Sequence, residues 1–507
     1  MEGFLLNCSK EFMNKYILAI DAGTTSSRAI LFGKDAMPIE IAQYEFSQFF
    51  PKEGWVEHDP LEIWNTQLKA IKEVIQKSKI DPKNIDSIGI TNQRETTVIW
   101  NKDTGQPVYN AIVWQDRRTA SFCDKLKEEN KSELIQNKTG LVIDAYFSGT
   151  KIKWILDSNS KIREQADKGQ LIFGTIDTWL IWNLTKGKYH ITDPSNASRT
   201  LLYNIKSDNW DDELLEIFDV PRNILPKVVD SSAISAYIDD EIIGSEIPIA
   251  GIAGDQQAAL FGQLCVNPGD IKNTYGTGCF CMMNTGKSSV KSKNKMLSTI
   301  AWRINGELTY ALEGSVFVAG ALIQWLRDKL GIIKDAPEVE DLANTVDDNG
   351  GITFIPALSG LAAPYWDPYA QGTIFGITRG TENGHIARAA LESIALRTRD
   401  IIIEMQKDAD IKFTNLKVDG GASNNNLLMQ IQSDLLQTNV VRPKTTETTA
   451  LGVAFLAGLA SGFWKNISDL SDLWTEDKSF KPNMKNDSKR IINLWEIRIN
   501  KLLKVNE

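Results

Sequence analysis

Residues 15–32 read KYILAIDAGTTSSRAILF. Tyr16 to Ile20 is a short apolar run that ends in Asp21. A turn of Gly23, Thr24, Thr25, Ser26 and Ser27 follows, then Arg28 and a second apolar run, Ala29 to Phe32. Two such runs around a glycine-bearing, hydroxyl-rich turn predict a β-hairpin. The turn can aim backbone N–H groups and three or four hydroxyls at one small volume, which suits phosphate oxygens. Asp21, at the mouth of the strand, can serve Mg²⁺, which takes one or two carboxylates alongside substrate phosphates. A plain hydrophilic hairpin tip opened by an aspartate fits the same residues. The rest of the chain has to choose.

Working outward, Asp59 to Lys77 predicts a helix: Asp59 as N-cap, Pro60 at the first position, and Glu62 completing a capping box. Leu61, Trp64, Leu68, Ile71 and Ile75 recur at helical spacing. Ile88 to Thr91 reads as a buried strand that runs into the polar turn Asn92-Gln93-Arg94-Glu95. Arg94 and Glu95 set a donor fork beside an acceptor pair, the combination that a small polyol needs, because each hydroxyl both donates and accepts. On these residues alone, a surface ion pair is the favoured reading. Ile247 to Gly262 (IPIAGIAGDQQAALFG) predicts a strand, a turn at Gly254 and an Ala-rich helix. Asp255 and Gln256 then stand at a strand-to-helix corner, where open α/β sheets place their chemistry.

Val266 to Asp270 (VNPGD) is a Pro/Gly break and the expected boundary between two lobes, 15–265 and 266–507, with 1–14 as a short extension whose native start is expected at Met13. Directly after the break, Asp270 to Met283 (DIKNTYGTGCFCMM) repeats the opening theme of strand, Thr/Gly turn and strand. That repetition predicts a duplicated architecture. Gly314 to Leu330 is expected to be a helix carrying Gln324, and Glu382 to Lys407 a long amphipathic one. Leu416 to Asp419 predicts a strand that ends in Gly420-Gly421-Ala422-Ser423 before a helix from about Asn425, a corner that favours close approach of an anion or nucleoside. Thr449 to Phe463 is rich in Ala and Gly, and its small residues predict tight helix packing.

The 507 residues exceed one core and point to two to four domains. A net charge of −9 with no basic block gives no footprint for nucleic acid. No apolar run reaches the roughly 18 residues of a membrane span. Five scattered cysteines and three separated histidines argue for buried reduced thiols in a cytoplasmic protein rather than disulfides or structural zinc. Asn284 to Ser288 matches only the tail of a Walker A loop, since Cys281 stands where its first glycine belongs.

In order along the chain, IDAGTTSSR, GWVEHDP, GITNQRETT, NAIVWQDRRT, YFSGTKIKWIL, GIAGDQQAALFGQLC, NTYGTGCF, YALEGSVFVAG, APYWDPYA and KVDGGASNN resemble the motifs of the FGGY carbohydrate kinases, over about Tyr16 to Phe463. The resemblance is narrowest to the glycerol-phosphorylating members. It implies an α/β, two-lobed actin-like ATPase fold of duplicated ribonuclease H-like domains, with polyol and ATP meeting in the cleft. The implied activity is ATP-dependent conversion of glycerol to sn-glycerol 3-phosphate, the first step of glycerol catabolism, with Mg²⁺ and in a homodimer or homotetramer. Position by position, it implies glycerol contacts at Arg94, Glu95, Tyr146, Asp255, Gln256 and Phe280, with Asp255 as general base and Asp21 at the metal. It implies phosphate contacts at Thr24, Thr25, Ser26, Arg28 and Thr277, and a nucleotide site lined by Gly320, Gln324, Gly421 and Asn425. Ala22 and Ala362 depart from the family pattern, and the loop Ile234 to Ser245 lacks the family's Gly-Gly-x-Arg anion site and its phosphorylated histidine. A family kinase for a ketopentose or longer polyol is the neighbouring alternative; an ATP-switched binding protein without transferase activity is the distant one.

Overall fold

The computed structural model describes residues 15–367, 369–483 and 488–505. The 1–14 extension and the expected start at Met13 lie outside the described residues. Thirteen strands form the main sheet: β1 (Tyr16–Ala22), β2 (Ser26–Phe32), β3 (Pro38–Glu45), β4 (Ile85–Asn92), β5 (Ser232–Tyr237), β6 (Pro248–Gly254), β7 (Ile271–Tyr275), β8 (Cys279–Gly286), β9 (Leu297–Ile304), β10 (Glu307–Val316), β11 (Asn415–Asp419), β12 (Asn439–Pro443) and β13 (Glu476–Phe480). The helices that matter for the site are α1 (Pro60–Ser78), α2 (Asp255–Gly262), α3 (Gly320–Asp328), α4 (Asn383–Ala409), α5 (Asn426–Leu436) and α6 (Thr448–Ser461).

From edge to edge the order is β13-β12-β11-β7-β8-β10-β9-β5-β6-β4-β1-β2-β3. The sheet is two sheets in effect, because β5 and β9 meet through the single pair Ser232 and Ile304. Each half has the same plan. In the first, β1 pairs antiparallel with β2 and parallel with β4, which runs parallel to β6. In the second, β7 pairs antiparallel with β8 and parallel with β11, which runs parallel to β12. In both, the last of these parallel strands leads into a helix, β6 into α2 and β12 into α6.

The unbroken apolar run of β1 follows from cover on both faces. Leu18 and Ile20 pack with Ile63, Ile71 and Val74 of α1, while Ile17 and Ala19 pack with Ala450, Val453 and Ala454 of α6. Helix α6 therefore follows a second-half strand yet covers the first-half sheet. It also crosses α2 at a reciprocal glycine contact. A Cβ on Gly262 would stand 2.0 Å from the Thr448 carbonyl, and one on Gly452 would stand 1.8 Å from the Ala258 carbonyl. The small residues of 449–463 serve this crossing, as their composition predicts.

Two local expectations are corrected. Residues 314–330 are not one helix: β10 continues to Val316, and α3 begins only at Gly320. The continuous apolar run hid the change from strand to helix. Asp59 does cap α1, accepting from Leu61 N–H at 2.8 Å, but Glu62 completes no capping box. Its carboxylate turns to Ser47, taking the backbone N–H at 3.0 Å and the hydroxyl at 3.1 Å.

Candidate active site

The β1–β2 turn is a tight one, with Gly23 N–H donating to Ser26 O at 2.9 Å. Thr25 is exposed at its tip and Thr24 and Ser26 are half-buried beside it, whereas Ser27 turns inward onto Thr66 of α1. The first cradle thus offers three hydroxyls. The Thr24 hydroxyl accepts from Trp114 Nε1 at 3.0 Å, which leaves its own proton to donate. Asp21 and Arg28 face each other across the hairpin and form an ion pair, both guanidinium contacts falling on Asp21 Oδ2. Arg28 Nη1 also reaches Glu447 Oε2, just before α6, at 2.6 Å.

The second cradle is the β7–β8 turn, closed by Gly276 N–H to Gly278 O at 2.9 Å, with Thr277 exposed at its tip. Gly320 N–H donates to Gly276 O at 3.0 Å, so the first turn of α3, with Gln324 exposed, abuts this cradle. Gly420, at φ +83°, packs against Tyr275, where a Cβ would meet its carbonyl at 2.6 Å. That conformation carries the chain round to exposed Gly421 and to Asn425, whose side chain caps α5 through Leu428 N–H at 2.7 Å. Thr277, Gly320, Gln324, Gly421 and Asn425 are therefore gathered around one turn of the second half.

The polyol candidates come together where the halves meet. Arg94 is buried, and its Nε lies 3.1 Å from Asp255 Oδ1 while its Nη2 lies 3.4 Å from the Tyr146 hydroxyl. The Asp255 side chain keeps 29% of its surface open. Burial on its other sides pushes its carboxyl up to about 6, against the pull of Arg94. Gln256 accepts through Oε1 from Lys272 Nζ at 2.6 Å, so its amide N–H₂ is the end left to donate elsewhere. Tyr146 and Phe280 both pack edge-on against Trp114, at 5.7 and 6.2 Å between ring centroids. Trp114 joins this apolar wall to the Thr24 hydroxyl of the first cradle.

The reading of Arg94 and Glu95 as a surface ion pair is overturned: the two are 2% and 1% exposed and stand 4.0 Å apart. Their real partners are Glu313 on β10 and Arg199, which the sequence did not single out. Glu313 binds both terminal nitrogens of Arg94, and Arg199 Nε donates to Glu95 Oε1 at 2.6 Å. Burial alone would raise the Glu313 carboxyl, but Arg199 and Arg94 hold it near 2. Lys272, Trp114 and Glu447 were also missed. The available signal for Glu313 was a carboxylate inside the apolar run ALEGSV; Arg199 had none beyond a polar stretch.

The model of the N-terminal domain of the FGGY family of carbohydrate kinases matches residues 16–262, and that of its C-terminal domain matches residues 271–461. Glycerol kinase 2 of Thermotoga maritima is 57% identical over 490 residues, 96% of this chain and 99% of the relative. The glycerol kinase of Dichelobacter nodosus is 60% identical over 473 residues, 93% of this chain and 95% of the relative. Among solved structures, Plasmodium falciparum glycerol kinase with ADP superposes with a TM-score of 0.91 at 36% identity, covering 96% of this chain and 98% of that one. The chain belongs to the FGGY family of carbohydrate kinases.

Proposed function

We infer that this chain transfers the γ-phosphoryl group of ATP to a terminal hydroxyl of glycerol, giving sn-glycerol 3-phosphate and ADP. The observation that carries the reading is the cluster of Arg94, Glu95, Tyr146, Asp255 and Phe280 between a hydroxyl cradle from each half, in a chain 56–60% identical to glycerol kinases over nearly its full length. In this reading residues 15–265 supply most of the polyol site and one phosphate cradle, and residues 266–507 the nucleotide site and the Phe280 wall. The hydroxyl oxygen bonds to the γ-phosphorus as the bond to the β–γ bridging oxygen breaks, and its proton passes to Asp255. Such transfer asks for in-line positioning and charge neutralisation more than covalent work. Arg94 and Glu95 orient the remaining hydroxyls, and the Trp114–Phe280 wall meets the carbon backbone.

Among the described residues no three carboxylate, histidine or cysteine side chains gather to cage a metal. Asp21, which meets Arg28 through Oδ2, would hold Mg²⁺ alongside the substrate phosphates. Bound there, Mg²⁺ would neutralise phosphate charge. Arg28, at the same carboxylate, is placed to share that task. A cytoplasmic location accords with the buried free thiols of Cys123, Cys265, Cys279 and Cys281. A homodimer or homotetramer is expected, and light scattering should give a multiple of 56.6 kDa.

The test is a coupled ADP-release assay with Mg-ATP against glycerol, dihydroxyacetone, xylulose, ribulose and no acceptor. Strong glycerol preference with little turnover in its absence is the expected result. Preference for a ketopentose would overturn the assignment of the polyol pocket, and turnover indifferent to every acceptor would overturn the kinase reading.

A further inference from the structure

The Arg94–Glu95 pair does not hold itself in place. Arg94 Nη2 donates to Glu313 Oε1 at 3.2 Å, and Arg199 Nη2 shares the same oxygen at 3.0 Å. Arg199 Nε then reaches Glu95 at 2.6 Å. The four side chains form a chain of alternating charge, Arg94–Glu313–Arg199–Glu95, and none is more than 2% exposed. Glu313 enters from β10 in the second half. Arg199 ends a buried polar segment that is itself fixed to both sides of the site. Within that segment Asn196 Oδ1 accepts from Asn92 Nδ2 at 3.0 Å, and Ser195 Oγ accepts from Gly254 N–H, next to Asp255, at 2.9 Å.

We propose that Arg199 and Glu313 are positioning residues for the acceptor: acting through Arg94 and Glu95, they set the geometry in which the fork and the carboxylate meet the hydroxyls of a small polyol. The proposal rests on the glycerol reading. A two-point contact with a carboxylate fixes the plane of a guanidinium as well as its place. Without Glu313, the nearest carboxylates left to Arg94 are Glu95 and Asp255, and both are required for the acceptor. Without the fork of Arg199, the Glu95 carboxylate loses the contact that keeps it off Arg94. Acceptor recognition then depends on a residue of the second half, so the polyol site is built by both halves.

The test compares Glu313→Gln, Glu313→Asp and Arg199→Lys with the unaltered protein in the ADP-release assay, with thermal midpoints measured alongside. The expected result is a rise in KM for glycerol of at least about tenfold with KM for ATP within about twofold, as loss of binding to one substrate requires. Arg199→Lys keeps the charge but not the fork, and should lie between the unaltered protein and Glu313→Gln. Folded, active variants with KM for glycerol within about twofold of the unaltered protein would overturn the proposal. So would equal losses for both substrates, or failure of all three variants to fold, which would mark a purely structural cluster. Absence of glycerol-dependent turnover in the unaltered protein would instead overturn the functional reading itself.

Discussion

In the proposed reaction Asp255 accepts the hydroxyl proton, and its carboxyl is held near 6 by burial that Arg94 only partly offsets. A base works only in its ionised form, so kcat/KM should fall about tenfold per pH unit below that value and level off above it. A pH–rate profile with saturating Mg-ATP checks this; a flat profile down to about pH 4.5 would remove Asp255 as the base. Asp255→Asn should lower kcat by about 10²–10⁴-fold. Titration calorimetry should find its nucleotide binding unchanged. Residue types legible in the sequence were those whose chemistry declares itself locally: a carboxylate at a strand-to-helix corner, a donor fork beside an acceptor. Their partners were not legible. Arg94 and Glu313 are 219 residues apart, and Arg28 and Glu447 are 419 apart. Only the folded sheet brings such pairs together.

Elements whose signals are local were read correctly. The β1–β2 hairpin, the Asp59 cap and the helix start near Asn425 each depend on a few neighbouring residues. The misplaced helix at 314–330 failed because an apolar run without punctuation fits strand and helix alike. The α2–α6 crossing was readable only as a run of small residues; the structure shows two glycines serving as each other's contact. Gly452→Ala should therefore force the helices apart and destabilise the protein by about 1–3 kcal/mol, as overpacking does. Gly421 offers the contrast, since a Cβ there meets nothing within 4 Å. Gly421→Ala should leave the thermal midpoint unchanged and raise KM for ATP alone. An unchanged KM in that variant would take Gly421 out of the nucleotide site, and an unchanged midpoint in Gly452→Ala would deny the tight crossing.

The whole molecule repeats one plan twice, and the repeats are tied by the β5–β9 strand pair, by α6 packed on the first-half sheet and on α2, and by ion pairs of Arg94, Arg199 and Arg28 with second-half carboxylates. The duplication was legible because both halves open with strand, Thr-rich turn and strand. The cover of the first-half sheet by α6 was not, because nothing in that segment names the surface it packs on. In the proposed reaction, with a cradle on each half, bringing the halves together would assemble the site and exclude water that competes with glycerol for the phosphoryl group. The most direct test is a crystal structure with glycerol, Mg²⁺ and a non-hydrolysable ATP analogue. A terminal glycerol hydroxyl within hydrogen-bond reach of Asp255 and in line with the γ-phosphorus, with phosphate oxygens on Thr24, Thr25 and Thr277, is the predicted result. Glycerol bound away from Arg94 and Glu95, or a γ-phosphate facing away from Asp255, would contradict it.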